Sequence, residues 1–150
     1  MLHLTQETPT GPVTLTEEDG AIVRCEWRDG GADRSELLED AARQLSEYFA
    51  GTRQGFDLPL RVNGSEFQQK ICAAITAIPF GQTLTYGDIA RSLGVPAQAV
   101  GQGCGGNPIP ILIPCHRVLG ASGLGGFSGL GGVETKVWLL KHEGAAGLLI

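Results

Sequence analysis

The chain has 150 residues, 42% of them hydrophobic, and a net charge of −5. This length suits one domain or two small ones with a real core, and no apolar run is long enough to cross a bilayer. The N-terminus lacks the basic start and long apolar stretch of a signal peptide, so a cytoplasmic location with no membrane partner is expected.

The charge is unevenly distributed along the chain. Residues 1–62 hold six arginines and twelve acidic residues, net −6, whereas residues 63–150 hold five basic and four acidic residues, net +1. A near-neutral C-terminal part tolerates a phosphate-bearing partner but does not by itself indicate one.

The four cysteines are predicted to be reduced thiols. They include no C-x-x-C pair, so neither a disulfide framework nor a zinc site is indicated, and no metal is expected. Cys25 and Cys72 fall on predicted apolar faces and are expected in the core. Cys104 lies near a run of glycines and is a candidate wall residue.

The N-terminal part predicts a small sheet with one helix. Residues 13–16 and 23–27 alternate in polarity around a Glu-Asp-Gly turn, which is typical of an antiparallel hairpin. Ser35 is predicted to cap an amphipathic helix that ends near Ala50. Residues 51–62 are interpreted as a connector.

The C-terminal part predicts a series of helices. Residues 65–68 match a capping box at the start of one helix. Thr85 is expected to cap a short helix that Gly94 closes, and Pro96 to open the next, so that the two form a helix-turn-helix. A last helix is predicted over residues 133–142.

Gly101, Gly103, Gly105 and Gly106 fall in or just after the second helix of the predicted helix-turn-helix. Glycine weakens a helix but lets another backbone come close. The pattern indicates either a helix laid into a groove or a frayed helix.

The strongest chemical signal is Pro-Cys-His-Arg-Val at residues 114–118, directly after the apolar run 109–113. Two prolines and an Asn-Pro turn at Asn107 restrict the backbone that leads to Cys115. This favours an extended segment that holds one side chain in place.

A thiol is only a few per cent ionised at pH 7, so Cys115 needs a group that takes its proton if it is a nucleophile. His116 is the neighbouring base. Because adjacent side chains of an extended chain point to opposite faces, the two either bond directly or are linked through a water.

Two charged residues are candidates for the surroundings of this pair. Glu143 would orient the imidazole as in a catalytic triad, although its spacing alone favours a solvated charge at a helix end. Arg117 would lower the pKa of a nearby thiol, although a structural ion pair is the favoured interpretation for it.

Residues 107–118, with Tyr86 upstream and Trp-Leu-Leu-Lys-His-Glu-Gly at 138–144 downstream, closely resemble the O6-alkylguanine-DNA alkyltransferases, the methylated-DNA–protein-cysteine methyltransferases. The resemblance covers most of the chain, and its Asn-Pro-Ile-Pro and Pro-Cys-His-Arg-Val segments are highly specific. It implies an α+β protein. A small sheet-plus-helix domain would span residues 1–62, and a mostly helical, winged-helix-like domain with the helix-turn-helix and the active-site cysteine would span residues 63–150.

The resemblance also implies DNA repair. Cys115 would take the alkyl group from O6-alkylguanine in DNA, irreversibly and once per molecule, without a cofactor. Glu143, His116 and a water would deprotonate the thiol, and Tyr86 would donate a hydrogen bond to the departing purine. The target base would have to leave the stack to reach the sulfur.

Further positions follow from the same resemblance. Asn107 would brace the loop, Phe127 would wall the pocket, and Ser128 would place its backbone N–H near the guanine oxygen. Arg117 belongs to the same candidate substrate- and DNA-binding set. The expected partner is DNA containing O6-alkylguanine, and the expected state is a monomer.

The chain departs from the family pattern in three places. Gln98 stands where the family usually has an arginine that fills the gap left by the flipped base, so weaker duplex binding or slower duplex repair is expected. Phe127 replaces the usual tyrosine. Residues 129–132 form a longer loop than is usual, which would reshape the pocket mouth.

Two other functions stay open. One is a DNA-binding module that senses alkyl lesions but transfers poorly, which Gln98 and the acidic N-terminal part favour and Cys115 opposes. The other is a small-molecule thiol hydrolase or transferase that uses Cys115 and His116. Turnover separates this enzyme from a suicide acceptor, which stops at one equivalent.

Overall fold

The computed structural model describes residues 1–121, 123–124 and 132–145. The chain forms two compact units, Met1–Asn63 and Gly64–Ile150. An antiparallel sheet lies in the first unit and most of the helices lie in the second, which confirms the predicted α+β class. Among the helices in these described ranges, none has the length and apolarity that a membrane span requires.

The first unit is built on a three-stranded antiparallel sheet, in which the strands are neighbours in chain order. The predicted hairpin is confirmed between the second and third strands. Asp19 and Gly20 connect them with φ angles of 49° and 78°. Two consecutive positive φ angles match the twist of the flanking strands, which is why Asp-Gly occurs here. The strands are β1 (Leu2–Thr8), β2 (Gly11–Glu18) and β3 (Ala21–Glu26).

The first strand was not predicted from the sequence. Only Leu4 of β1 is buried, so its alternation of apolar and polar residues is weak. The strand is fixed instead by its pairing with β2 and by polar contacts. The His3 Nδ1 lies 2.9 Å from Thr16 Oγ1, and the Thr5 and Thr14 hydroxyls are 2.7 Å apart.

The predicted amphipathic helix is confirmed as α1 (Glu36–Phe49). Ser35 Oγ accepts the backbone N–H of Leu38 at 3.0 Å, which makes Ser35 the N-cap. A buried glutamine on the same helix, Gln44, holds the connector. Its amide donates to the Asp57 carbonyl at 3.1 Å and accepts the Asp57 N–H at 2.9 Å.

The second unit is mostly helical, and its helices begin near the predicted residues. The capping box predicted at residues 65–68 forms only in part, because the Gln68 side chain bonds to Cys72 and Gly103 and does not reach back to Ser65. Ser65 Oγ accepts the N–H of Gln68, and Thr85 forms a reciprocal capping box with Asp88. Gly94 closes the short helix after Thr85 with φ 70°. The elements are α2 (Glu66–Thr76), β4 (Leu84–Thr85), α3 (Tyr86–Leu93), α4 (Ala97–Gly105), a 3-10 helix (Cys115–Arg117), β5 (Val118–Leu119) and α5 (Val133–His142).

The buried face of α2 carries Cys72 together with Ile71 and Ile75, which confirms the expectation that Cys72 lies in the core. Phe67, in the first turn of the same helix, is exposed.

Glycine lets α4 approach α2 closely. A Cβ atom built on Gly103 would lie 2.8 Å from Ile71 Cγ1, which is closer than real side chains come. A Cβ on Gly101 or Gly105 would meet nothing within 4 Å. The helix therefore packs tightly on its Gly103 side and presents bare backbone on the other.

Candidate active site

The segment before Cys115 is a loop held by side-chain hydrogen bonds and not the extended run expected from its sequence. The Asn107 amide donates to the Ile113 carbonyl at 2.9 Å, and its oxygen accepts the Ile109 N–H at 3.0 Å. Ile113 N–H also bonds to the Ile109 carbonyl at 2.9 Å, so the chain turns back on itself. Ile111 has φ 72°, a strained value for a β-branched residue. The prolines at both ends and the Asn107 side-chain amide thus hold this segment as a short, buried turn.

Cys115 is the first residue of the 3-10 helix. Its N–H donates to the Ile113 carbonyl at 2.8 Å, and the residue is only 5% exposed. Burial raises the pKa of the Cys115 thiol, and the Asn107 amide and the Lys136 ammonium act against that rise. The thiol is therefore protonated at neutral pH and needs a proton acceptor to become a nucleophile.

The neighbouring imidazole is fully buried and bonded to a carboxylate. His116 Nε2 donates to Glu143 Oε2 at 2.7 Å. The prediction from spacing that Glu143 is a solvated helix-end charge was wrong, because the residue is 5% exposed. It projects from the end of α5 into the interior, seven residues after Lys136 on the same helical face.

Arg117 donates to both oxygens of that carboxylate. Its Nε donates to Glu143 Oε1 at 2.8 Å and its Nη2 to Glu143 Oε2 at 3.0 Å, while Nη1 donates to the Ile78 carbonyl at 2.6 Å. The guanidinium also lies 5.8 Å from the centre of the Phe80 ring. Arg117 is thus buried in the structural ion pair favoured from the sequence, and its fork holds both carboxylate oxygens.

These contacts fix the tautomer of His116. An ionised carboxylate only accepts hydrogen bonds, so Nε2 carries the proton. Burial lowers the pKa of His116, against the opposing effect of Glu143, which keeps the ring neutral. Nδ1 is then an acceptor, and among the described residues it has no hydrogen-bond partner. The imidazole next to Cys115 is therefore arranged as a general base.

A buried lysine belongs to the same region and was missed from the sequence. Lys136 is fully buried on α5, and its Nζ donates to the Val118 carbonyl at 2.7 Å. Burial lowers the pKa of Lys136, and the nearby Cys115 and Cys104 thiols oppose that effect. The sequence signal for the burial of Lys136 is its spacing from two leucines of the same helix. Lys136 precedes Leu139 and Leu140 by three and four residues, so it lies on the apolar face of α5.

Tyr86 is brought to this region by a short parallel pair that the sequence did not reveal. Leu84 of β4 pairs with Val118 of β5, so the next residues of the two segments lie side by side. Lys136 Nζ is 5.9 Å from the centre of the Tyr86 ring. Tyr86, Lys136 and the strand that follows the 3-10 helix therefore converge.

The remaining candidates are spread more widely. Gln98 is exposed on α4, and Asn107 is buried in the loop it staples. Cys104 is buried on the inner side of α4, where burial and the nearby Cys115 raise its pKa to about 12. Phe127, Ser128 and positions 129–131 of the longer loop lie outside the described residues.

A buried thiol, followed in the chain by an imidazole that a carboxylate orients, is an arrangement typical of cysteine-nucleophile proteins. Residues 66–145 match the model of the 6-O-methylguanine DNA methyltransferase DNA binding domain, and residues 1–62 match that of its ribonuclease-like domain. The chain belongs to the 6-O-methylguanine DNA methyltransferase family.

Curated relatives agree over nearly the whole length. The methylated-DNA–protein-cysteine methyltransferase of Methanosarcina acetivorans is 38% identical and aligns over 97% of this chain and 99% of its own. The constitutive enzyme of Bacillus subtilis is 40% identical over 94% of both chains. Among solved structures, the Mycobacterium tuberculosis O6-methylguanine methyltransferase gives a TM-score of 0.85 at 35% identity, covering 99% of this chain and 96% of its own. A complex of the M. tuberculosis protein with DNA also gives 0.85, at 38% identity, with 96% and 93% covered.

Proposed function

We propose that this protein repairs DNA by direct reversal, as a methylated-DNA–protein-cysteine S-methyltransferase. It transfers the methyl or other alkyl group of O6-alkylguanine in DNA to Cys115, once per molecule. The observation that carries this proposal is the hydrogen bond from His116 Nε2 to Glu143, which leaves Nδ1 of the residue next to Cys115 as a hydrogen-bond acceptor. Neither alternative weighed from the sequence has comparable support.

The transfer balances without a cofactor. The Cys115 sulfur forms a bond to the alkyl carbon while the bond between that carbon and the guanine O6 breaks, and the electron pair of the broken bond stays on guanine. The thiol proton goes to His116 Nδ1 through a bridging water, since Nδ1 bonds to no side chain among the described residues, and Glu143 stabilises the imidazolium that results. The thioether is not reversed by ordinary reductants, which limits each molecule to one event.

The departing guanine needs a hydrogen-bond donor. Tyr86 fills this role, since its ring lies beside Lys136 next to the strand after the nucleophile. The Lys136 charge favours the Cys115 thiolate and makes the Tyr86 hydroxyl a stronger donor. Both effects act at the moment when negative charge moves from sulfur to purine.

DNA engages the second unit, with the target base turned out of the duplex. Gln98 occupies the space left by the base, where the family usually has an arginine. Asn107 holds the loop, Phe127 walls the pocket, and Ser128 offers its N–H to the guanine oxygen. Arg117 serves the site by fixing Glu143 rather than by touching DNA.

The two domains of the chain have different roles. The domain over residues 63–150 carries DNA binding and transfer, and the domain over residues 1–62 supports it. The protein acts as a monomer in the cytoplasm, where reduced thiols such as its four cysteines are the rule.

A stoichiometry measurement tests the proposal. The protein is mixed with an excess of an oligonucleotide containing O6-methylguanine, and the intact mass and a peptide map are recorded. One methyl group on Cys115 and one equivalent of repaired DNA are expected.

Cys115→Ala should gain no methyl group, whereas Cys104→Ala, which removes a neighbouring buried thiol, should still gain one. Repeated turnover, or a methyl group on any other residue, contradicts the proposal.

A further inference from the structure

The helix that carries Gln98 is held by a side chain from another helix. The Gln68 amide, on α2, donates from Nε2 to the Gly103 carbonyl at 2.8 Å. That carbonyl belongs to the last turn of α4, where carbonyl groups lack partners within the helix. Gln68 therefore satisfies an acceptor that the helix itself leaves open.

Two glycines allow the close contact between α4 and α2. A Cβ on Gly106 would lie 2.9 Å from Gln68 Oε1, and one on Gly103 would lie 2.8 Å from Ile71. Glycine is a poor helix former, and α4 has glycine at three of its nine positions. No side chain caps its N-terminus, where Pro96 stands. Contacts from α2 thus hold a helix that has little stability of its own.

The same amide reaches toward the nucleophile loop. Gln68 Nε2 also donates to Cys72 Sγ at 3.4 Å, and Cys72 Sγ lies 4.0 Å from Asn107 Oδ1. The Asn107 N–H bonds to the Cys104 carbonyl at 3.2 Å, so the end of α4 runs directly into the residue that staples the loop before Cys115. Gln68 lies where the DNA-facing helix and the Cys115 loop meet.

We propose that Gln68 is a positioning residue, which holds the last turn of α4 and Asn107 in one arrangement so that DNA bound on α4 presents its base to Cys115. This inference rests on the proposed function. It assigns Gln68 no contact with the substrate, because the residue acts through Gly103, Cys72 and Asn107. His116, Glu143 and Arg117 bond to none of these groups in the described contacts, so the general base should be unaffected.

Two variants test the amide donor. Gln68→Met keeps the length of the side chain and loses the donor, and Gln68→Glu keeps its shape and loses the donor. Gln69→Met is the matched control, since Gln69 is the next residue of α2 and its amide donates to the Gly64 carbonyl instead. Methyl transfer from duplex DNA containing O6-methylguanine is followed at increasing DNA concentration, with the folded fraction measured in parallel.

The limiting rate at saturating DNA should fall tenfold or more in both Gln68 variants, with the folded fraction and the pH dependence unchanged. Gln69→Met should stay within twofold of the unchanged protein. A merely structural role would lower the free energy of unfolding but leave the limiting rate per folded molecule unchanged. That result, or an equal loss in Gln69→Met, overturns the proposal.

Amide hydrogen exchange gives a readout that does not need the reaction. The N–H groups of residues 104–107 should exchange at least tenfold faster in the Gln68 variants, with those of α3 unchanged. Unchanged exchange at residues 104–107 overturns the proposal even if the protein transfers no methyl group. A failure of methyl transfer in the unchanged protein is instead a failure of the proposed function.

Discussion

The Glu143 carboxylate lies between a guanidinium and an imidazole, and this position decides which proton transfers are open to Cys115. Arg117 donates to both carboxylate oxygens, and His116 donates to one of them. In the proposed reaction, His116 Nε2 holds the hydrogen bond to Glu143, and the thiol proton passes to the other ring nitrogen, Nδ1.

The pH dependence of methyl transfer should be flat across the neutral range. Burial lowers the pKa of His116, so the ring is already a neutral base at slightly acidic pH. Burial raises the pKa of Cys115, so the thiol gives up its proton only as His116 accepts it. We expect the rate at saturating DNA to vary less than about threefold between about pH 6.5 and pH 8.5. A rise of about tenfold per pH unit would mean that free thiolate reacts without the base.

A pair of substitutions on α5 separates the base from general charge effects. Glu143→Gln should lower the plateau rate by about 100-fold, a typical contribution of general base catalysis. Glu134→Gln removes the same charge from an exposed position of that helix and should leave the rate unchanged. Equal effects of the two substitutions would contradict the assignment of Glu143.

Residues with unusual surroundings were the hardest to infer from the sequence. Cys115 and His116 were found because their sequence context is specific. The burial of Glu143 and Lys136 was not predicted, because a charge near a helix end is usually solvated. Both lie on the face of α5 that also carries Leu139 and Leu140. Only the contacts of the folded chain show that the charged side chains on this face are buried.

At the level of elements, α4 shows that glycines in one helix have different roles. The Gly103 position faces Ile71 at close range, whereas the Gly101 position is open. Alanine has a higher helix propensity than glycine by about 1 kcal/mol, so the space around each position decides the sign of a substitution.

Gly103→Ala should therefore destabilise the protein and Gly101→Ala should stabilise it. We expect a loss of about 1–3 kcal/mol from overpacking at Gly103 and a gain of about 0.5–1 kcal/mol at Gly101, measured by urea unfolding. The two substitutions add the same methyl group to the same helix, so each controls for the other. Equal gains at both positions would show that α4 does not pack against α2 as described.

Elements with local signals were predicted well. Ser35 and Thr85 cap their helices as expected, and Gly94 ends α3. The strands β1, β4 and β5 were missed because they depend on partners distant in sequence, and the last two have only two residues each. The apolar run before Cys115 suggested a strand, but the Asn107 amide bonds within the run and turns it into a loop.

At the level of the whole molecule, the acidic charge lies in the first unit and the DNA-binding part is nearly neutral. Few basic residues then contribute to DNA affinity, so binding should depend only weakly on salt. Gln98 adds no charge on the exposed side of α4. Duplex repair should be limited by how well the space left by the turned-out base is filled.

Gln98→Arg should raise the rate of repair in duplex DNA by about threefold or more, with little change for a single-stranded oligonucleotide, since unstacking from a single strand leaves a smaller gap to fill. Gln102→Arg adds the same charge to the next turn of α4 and is the matched control. An equal gain from Gln102→Arg, with a salt slope steeper by about 0.9, would assign the effect to phosphate attraction. An absence of gain in duplex repair would show that Gln98 does not limit the reaction.

The enclosure of Cys115 also bears on how long the protein keeps its capacity before it meets a lesion. A protonated thiol in a residue that is 5% exposed is a poor target for peroxide and other freely diffusing electrophiles, which attack accessible thiolates. An acceptor that is consumed by its first reaction cannot be regenerated after an accidental one. Shielding keeps the molecule competent while it waits, so its supply in the cell is spent on damaged bases and not on background oxidation.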